Sequence, residues 1–147
     1  MEDPADVRMP ASGAARKILV VDDQPAIRSL LGRMLARSGY AMVEAASARE
    51  AYAAIQRLHG EIVLAIIDMI MPGASGLDLA SELGRDFPRI RILYMSGCRD
   101  SLAMDVIARR SPEAVLLKPF TYAELTVRLE TLLAAGPEAG DPQVPKP

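Results

Sequence analysis

The chain has 147 residues, half of them hydrophobic and 24% charged, and its 17 basic and 19 acidic side chains leave a net charge of −2. That length predicts one domain that buries roughly 70% of the unfolded chain's surface, and the apolar content excludes an intrinsically disordered polypeptide. The slightly acidic balance argues against a nucleic-acid binder, which would carry a basic surplus.

A single cysteine, Cys98, excludes an intramolecular disulfide and a Cys-rich zinc site, and a single histidine, His59, excludes a His-rich metal centre. Residues 1–15 carry Glu2, Asp3 and Asp6 and lack the apolar stretch of an export signal. No disulfide and no export signal together predict a reducing, cytoplasmic setting. No apolar run approaches the ~18 residues that span a bilayer, so no membrane association is expected.

In chain order, residues 1–15 read as a disordered tail rich in Pro, Ala, Gly and acids. Short apolar runs follow at Ile18–Val21, Tyr40–Ala45 (the weakest), Ile62–Ile67, Ile90–Met95 and Ala114–Leu117. Continuous runs of this length suit strands buried on both faces, as in a parallel sheet. Between and after them lie stretches with helical spacing. The first carries Ile27, Leu30, Leu31, Met34 and Leu35, and the second Ala51, Ala54, Ile55 and Leu58. The third carries Leu77, Leu79, Ala80 and Leu83 and stops before Pro88. Leu102, Val106 and Ile107 mark the fourth, and Leu125, Leu129, Leu132 and Leu133 the last. Ser47 with Glu50, and Thr121 with Glu124, form capping boxes. Gly39, Gly60 and Gly136 stand where helices should end. Residues 135–147 hold four prolines and read as a second disordered tail, which disfavours a helix-turn-helix after residue 134. The folded domain is therefore placed at 16–134. Five βα units predict an α/β fold: a five-stranded parallel sheet with helices on both faces, a three-layer sandwich.

Ligands of such sheets bind beyond the carboxyl ends of the strands, where the strand order reverses. The residues there are Asp22-Asp23, Asp68, Ser96-Gly97 and Lys118-Pro119-Phe120. Three crowded carboxylates repel one another unless a cation neutralises them, and a hard divalent ion suits oxygen ligands. With the Lys118 ammonium and the Ser96 hydroxyl, these are the parts for handling a phosphoryl group.

The segments Lys-Ile-Leu-Val-Val-Asp-Asp (17–23), Asp-Met-Ile-Met-Pro-Gly-Ala-Ser-Gly-Leu (68–77), Tyr-Met-Ser-Gly (94–97) and Leu-Lys-Pro-Phe (117–120) resemble the receiver domain of two-component response regulators. The resemblance covers about residues 16–134 and implies a flavodoxin-like (βα)5 fold. Position by position it implies that Asp68 accepts the phosphoryl group. Asp22 and Asp23 hold Mg²⁺ with Asp68 and the backbone carbonyl of Ile70, with Asp23 the direct ligand of the acidic pair and Asp22 acting partly through water. It makes Ser96 the switch hydroxyl, Lys118 the contact to the acyl phosphate, and the bond before Pro119 cis. The implied donor is a histidine kinase or a histidine phosphotransfer protein. The sequence resembles stand-alone and hybrid-kinase receivers more than those fused to DNA-binding domains. Relatives often carry an aromatic three residues before the lysine, where this chain has Val115. Tyr94 is not assigned that role, because strand alternation gives it the facing of Ser96 only approximately. Met69 and Ile70 offer no acid or base to a hydrolytic water, so the expected phosphoryl lifetime is set by geometry.

Two other readings stand beside this one. One is a receiver-like interaction module that uses no phosphate. The other is an aspartyl-nucleophile phosphatase, although such enzymes carry Asp-x-Asp on one strand and the acids here are adjacent. Plainer roles are expected elsewhere: His59 as a cation at a helix end, Cys98 without a redox role, the methionines as core filler, and Arg109-Arg110 as a solvated helix end.

Overall fold

The structure is a computed structural model that describes residues 16–58, 60–97 and 102–134. The two tails, His59, Cys98 and Gly136 lie outside the described residues. The elements run β1 (Lys17–Val21), α1 (Pro25–Arg37), β2 (Ala41–Ala45), α2 (Ala48–Leu58) and β3 (Ile62–Asp68). Two short strands follow, β4 (Ile70–Met71) and β5 (Ala74–Ser75), then α3 (Gly76–Asp86) and β6 (Arg91–Ser96). The chain continues through α4 (Leu102–Arg110), a 3-10 turn (Pro112–Ala114), β7 (Val115–Leu117) and α5 (Tyr122–Ala134).

The main sheet has five parallel strands in the order β2-β1-β3-β6-β7. Its centre consists of the strands with the most continuous apolar sequence. Ile18–Val21 and Leu64–Ile67 are fully buried, and Leu93, Tyr94 and Met95 of β6 are equally closed. The weakest run, β2, is an edge strand with an exposed Glu44, so the polarity that blurred it in the sequence belongs to its position. The order reverses at β1: the first crossover leads outward to β2, and the next returns past β1 to β3. Right-handed crossovers then place α1 and α5 on one face and α2, α3 and α4 on the other. Contacts between helices agree. Ser38 and Tyr122 share a hydroxyl–hydroxyl bond of 2.8 Å between α1 and α5, and Tyr52 of α2 meets Phe87 edge-on just beyond α3.

The helical stripes point inward as the spacing predicts, with Leu31 and Leu35, Ala51 and Ile55, Leu79 and Leu83, Ile107, and Leu125, Leu129 and Leu132 all buried. Met69, Met71, Met95 and Met104 fill the core, and Arg109 is an exposed helix-end cation paired to Asp105 at 2.9 Å. Thr121 and Glu124 make the full reciprocal capping box: the Thr121 amide donates to Glu124 Oε1 at 2.8 Å, and the Glu124 amide to Thr121 Oγ1 at 3.0 Å. At α2 the box is shifted. The Glu50 amide donates to Ser47 Oγ at 3.1 Å, but the Glu50 carboxylate takes the amide of Ala46 instead of that of Ser47. Gly39 and Gly60 have φ of +90° and +93°, the left-handed conformation that suits glycine after a helix. The expected strand start at Ala114 is corrected, because Pro112–Ala114 coils as a 3-10 turn before β7.

Candidate functional site

The reversal of strand order leaves a crevice beyond the carboxyl ends of β1 and β3. β1 delivers Asp22 and Asp23 to it, and β3 delivers Asp68, its own last residue. Asp22 is fully buried and anchored through four atoms. Its amide donates to the Ala45 carbonyl at 3.1 Å, and its carbonyl accepts from Arg28 Nη1 at 2.7 Å. Its carboxylate accepts from the Gln24 amide at 2.8 Å and from Lys118 Nζ at 3.2 Å. Asp23 is half-buried. Asp68, 5% exposed, accepts from the Ile70 amide at 3.1 Å through one oxygen and from Lys118 Nζ at 3.2 Å through the other.

Lys118 therefore bridges two carboxylates contributed by the start and the middle of the chain. It reaches them because β7 ends one residue earlier and its amide donates to the Ser96 carbonyl at 2.8 Å. The Lys118–Pro119 bond is cis. Ser96 ends β6, the strand next to β3, and is buried. Burial pushes the Asp68 carboxyl above its ordinary range, and the nearby Asp22 charge adds to this. The Ile70 amide and the Lys118 ammonium pull it back only in part. Burial alone would lower the Lys118 ammonium, but the two carboxylates outweigh it and hold the pKa above the ordinary value.

Oxygens of Asp22, Asp23 and Asp68 lie within 4.8 Å of one another. A cluster of carboxylate oxygens that Lys118 neutralises only in part suits a hard dication. Mg²⁺ fits this donor set, since it takes few protein carboxylates and keeps several waters. A buried carboxylate beside an ammonium and a cluster of oxygens suited to a dication has the parts to receive a phosphoryl group.

The structure thus brings Asp22, Asp23, Asp68 and Lys118 together, with Ser96 on the adjacent strand end. Ile70 touches Asp68 through its amide, and its side chain is 71% exposed at the mouth of the site. Three features were not assigned from sequence. Gly76 opens α3 directly against the end of β3, where a Cβ would lie 2.1 Å from the Asp68 carbonyl oxygen. The β4–β5 pair forms the turn between Asp68 and that glycine. Arg28 grips the Asp22 carbonyl. A glycine closing the Pro-Gly-Ala-Ser-Gly stretch was the available signal for Gly76. Tyr94 is fully enclosed opposite Val115. Its hydroxyl has no hydrogen-bond partner among the described residues, and burial raises its pKa.

Residues 18–130 match the family model described as the response regulator receiver domain. Sensor kinase CckA of Brucella abortus (strain 2308) is 34% identical over 126 residues, which cover 83% of this chain and 13% of that kinase. The phosphate regulon transcriptional regulatory protein PhoB of Pseudomonas aeruginosa is 32% identical, over 88% of this chain and 56% of the regulator. The chain therefore spans about half, or far less, of the length of these relatives. Among solved structures, the response regulator protein TrrA of Thermotoga maritima, in complex with Mg²⁺ and BeF, superposes with a TM-score of 0.68. It is 30% identical and covers 80% of this chain and 99% of its own.

Proposed function

Because the chain belongs to the response regulator receiver domain family, a family of phosphoacceptor signalling domains on the flavodoxin-like fold, we propose that Asp68 accepts a phosphoryl group from a histidine kinase or histidine phosphotransfer protein. The observation that carries this is the meeting of three carboxylates and one ammonium at the reversal of the sheet. A carboxylate oxygen of Asp68 attacks the phosphorus of a donor phosphohistidine. The P–N bond breaks, its electron pair returns to the imidazole nitrogen, and an acyl phosphate forms. Lys118 Nζ, already 3.2 Å from Asp68, pairs with the transferring oxygens as their charge redistributes. Asp22, Asp23, Asp68 and the Ile70 carbonyl would hold Mg²⁺, which when bound would supply the remaining positive charge.

Ser96, buried at the end of β6, is the hydroxyl that answers the new oxygens. That response is a local electrostatic event with a wider readout in protein–protein contacts. Val115 is buried and holds no ring, so any readout on this edge runs through other side chains. Met69 and Ile70 supply no general base for hydrolysis, and the acyl phosphate persists as long as access to water allows. The reading is of a single receiver acting through protein partners, with self-phosphorylation and self-dephosphorylation as its only chemistry.

Phosphotransfer from purified, radiolabelled histidine kinases tests the proposal. One or a few kinases should label the native chain within seconds and leave Asp68→Asn unlabelled. Equal labelling of that variant, or none of the native chain by any kinase, would reject it and leave the phosphate-independent interaction module.

A further inference from the structure

Arg28 lies in the first turns of α1, where side chains lean back toward the helix N-terminus. Its guanidinium therefore reaches over the loop that carries Asp22 and Asp23. Nη1 donates to the Asp22 backbone carbonyl at 2.7 Å, and Nε donates to the Glu44 carboxylate at 2.7 Å. The arginine side chain is 16% exposed and held by these two bonds, while Glu44 stands on the open edge of the sheet. The carbonyl that Arg28 holds belongs to the peptide unit joining Asp22 to Asp23. That unit is planar, so fixing its oxygen fixes the plane from which the Cα of Asp23 departs. Asp22 has other anchors through its amide and both carboxylate oxygens. The Asp23 carboxylate has no side-chain hydrogen-bond partner among the described residues, so its direction depends on that plane.

We propose that Arg28, braced by Glu44, is a positioning residue that aims Asp23 at the divalent cation. The inference rests on the receiver reading and extends it to a residue that touches neither phosphoryl group nor ion. Charge and geometry pull in opposite directions here, which makes the idea testable. An arginine beside a dication site repels the dication, so simple Coulomb reasoning has the ion bind more tightly once Arg28 is neutralised. Positioning has it bind more weakly. Glu44 offsets the arginine charge while leaving its fork engaged, and a lysine offers one nitrogen donor where the guanidinium here uses two, Nε and Nη1.

The test is a Mg²⁺ titration of the full-length, unphosphorylated chain followed by amide NMR shifts, with far-UV circular dichroism as the check on folding. Arg28→Met should weaken Mg²⁺ binding about tenfold, the size of effect seen when partners behind metal ligands are removed. Arg28→Lys, which keeps the charge and the fold, should weaken it by about threefold or more and decides the matter if the methionine variant does not fold. Binding as tight as the native chain's, or tighter, in the folded variants overturns the positioning role alone. Failure of the native chain to bind Mg²⁺ at the aspartates would overturn the receiver reading and this inference with it.

Discussion

Asp68 is nearly closed from solvent between Lys118 and Asp22, and its carboxyl titrates above the ordinary range because burial disfavours the charge. A raised folded pKa means that ionising Asp68 opposes folding of the metal-free protein. Stability from this residue is full below the ordinary carboxylate pKa and is lost as pH climbs through the raised one. Metal-free Asp68→Asn should therefore melt above the native chain at neutral pH. We expect a gain of about 4 °C, the response of a domain of this size to about 1 kcal/mol. The gap should close as pH falls into the carboxylate range, and melting curves in EDTA across pH would show it. An equal or lower melting temperature at pH 7 would mean that burial does not hold the Asp68 pKa above its ordinary value. Lys118→Met removes the ammonium that both carboxylates share. It should slow phosphoryl uptake at least about a hundredfold, by loss of preorganised charge at the transferring oxygens, as read by initial rates of labelling. The acids, the serine and the lysine were legible in the sequence because each ends an apolar run. Arg28 was not, since an arginine on the first helix gives no sign of whose carbonyl it holds.

The elements follow from pattern wherever burial is two-sided. β1, β3 and β6 announce themselves as unbroken apolar runs, and the helices as stripes. The β4–β5 pair escaped because two-residue strands have no period to detect. The start of β7 was read early because Ala114 is as apolar in a 3-10 turn as in a strand. Gly76 is where α3 and the end of β3 touch backbone to backbone, and only the missing side chain permits it. Gly76→Ala should therefore cost about 2 kcal/mol or more in chemical denaturation, the scale of an overpacked core, and should weaken Mg²⁺ binding by displacing Asp68. Gly84→Ala in the same helix is the control: a Cβ there meets no heavy atom within 4 Å. It should stabilise by about 0.5–1 kcal/mol through reduced unfolded-chain entropy and better helix propensity. Equal effects from the two substitutions would refute the close approach.

At the scale of the molecule, a parallel sheet gathers residues from the start, middle and end of the chain on one rim, so the site exists only when the fold does. Lys118 reaches Asp22 across 96 positions of sequence and Asp68 across 50. No helix among the described residues is long and apolar enough to cross a membrane. The alternation of strands and helices made this architecture readable, because every crossover must return to a parallel neighbour. The identity of the partner was not readable, since recognition is spread over surface side chains that each carry little signal. The most direct measurement is intact-mass spectrometry after incubation with acetyl phosphate and Mg²⁺. The account predicts one added HPO₃ on the native chain, lost when the metal is chelated and absent from Asp68→Asn. An unmodified native chain, or a label that survives in the asparagine variant, would contradict it.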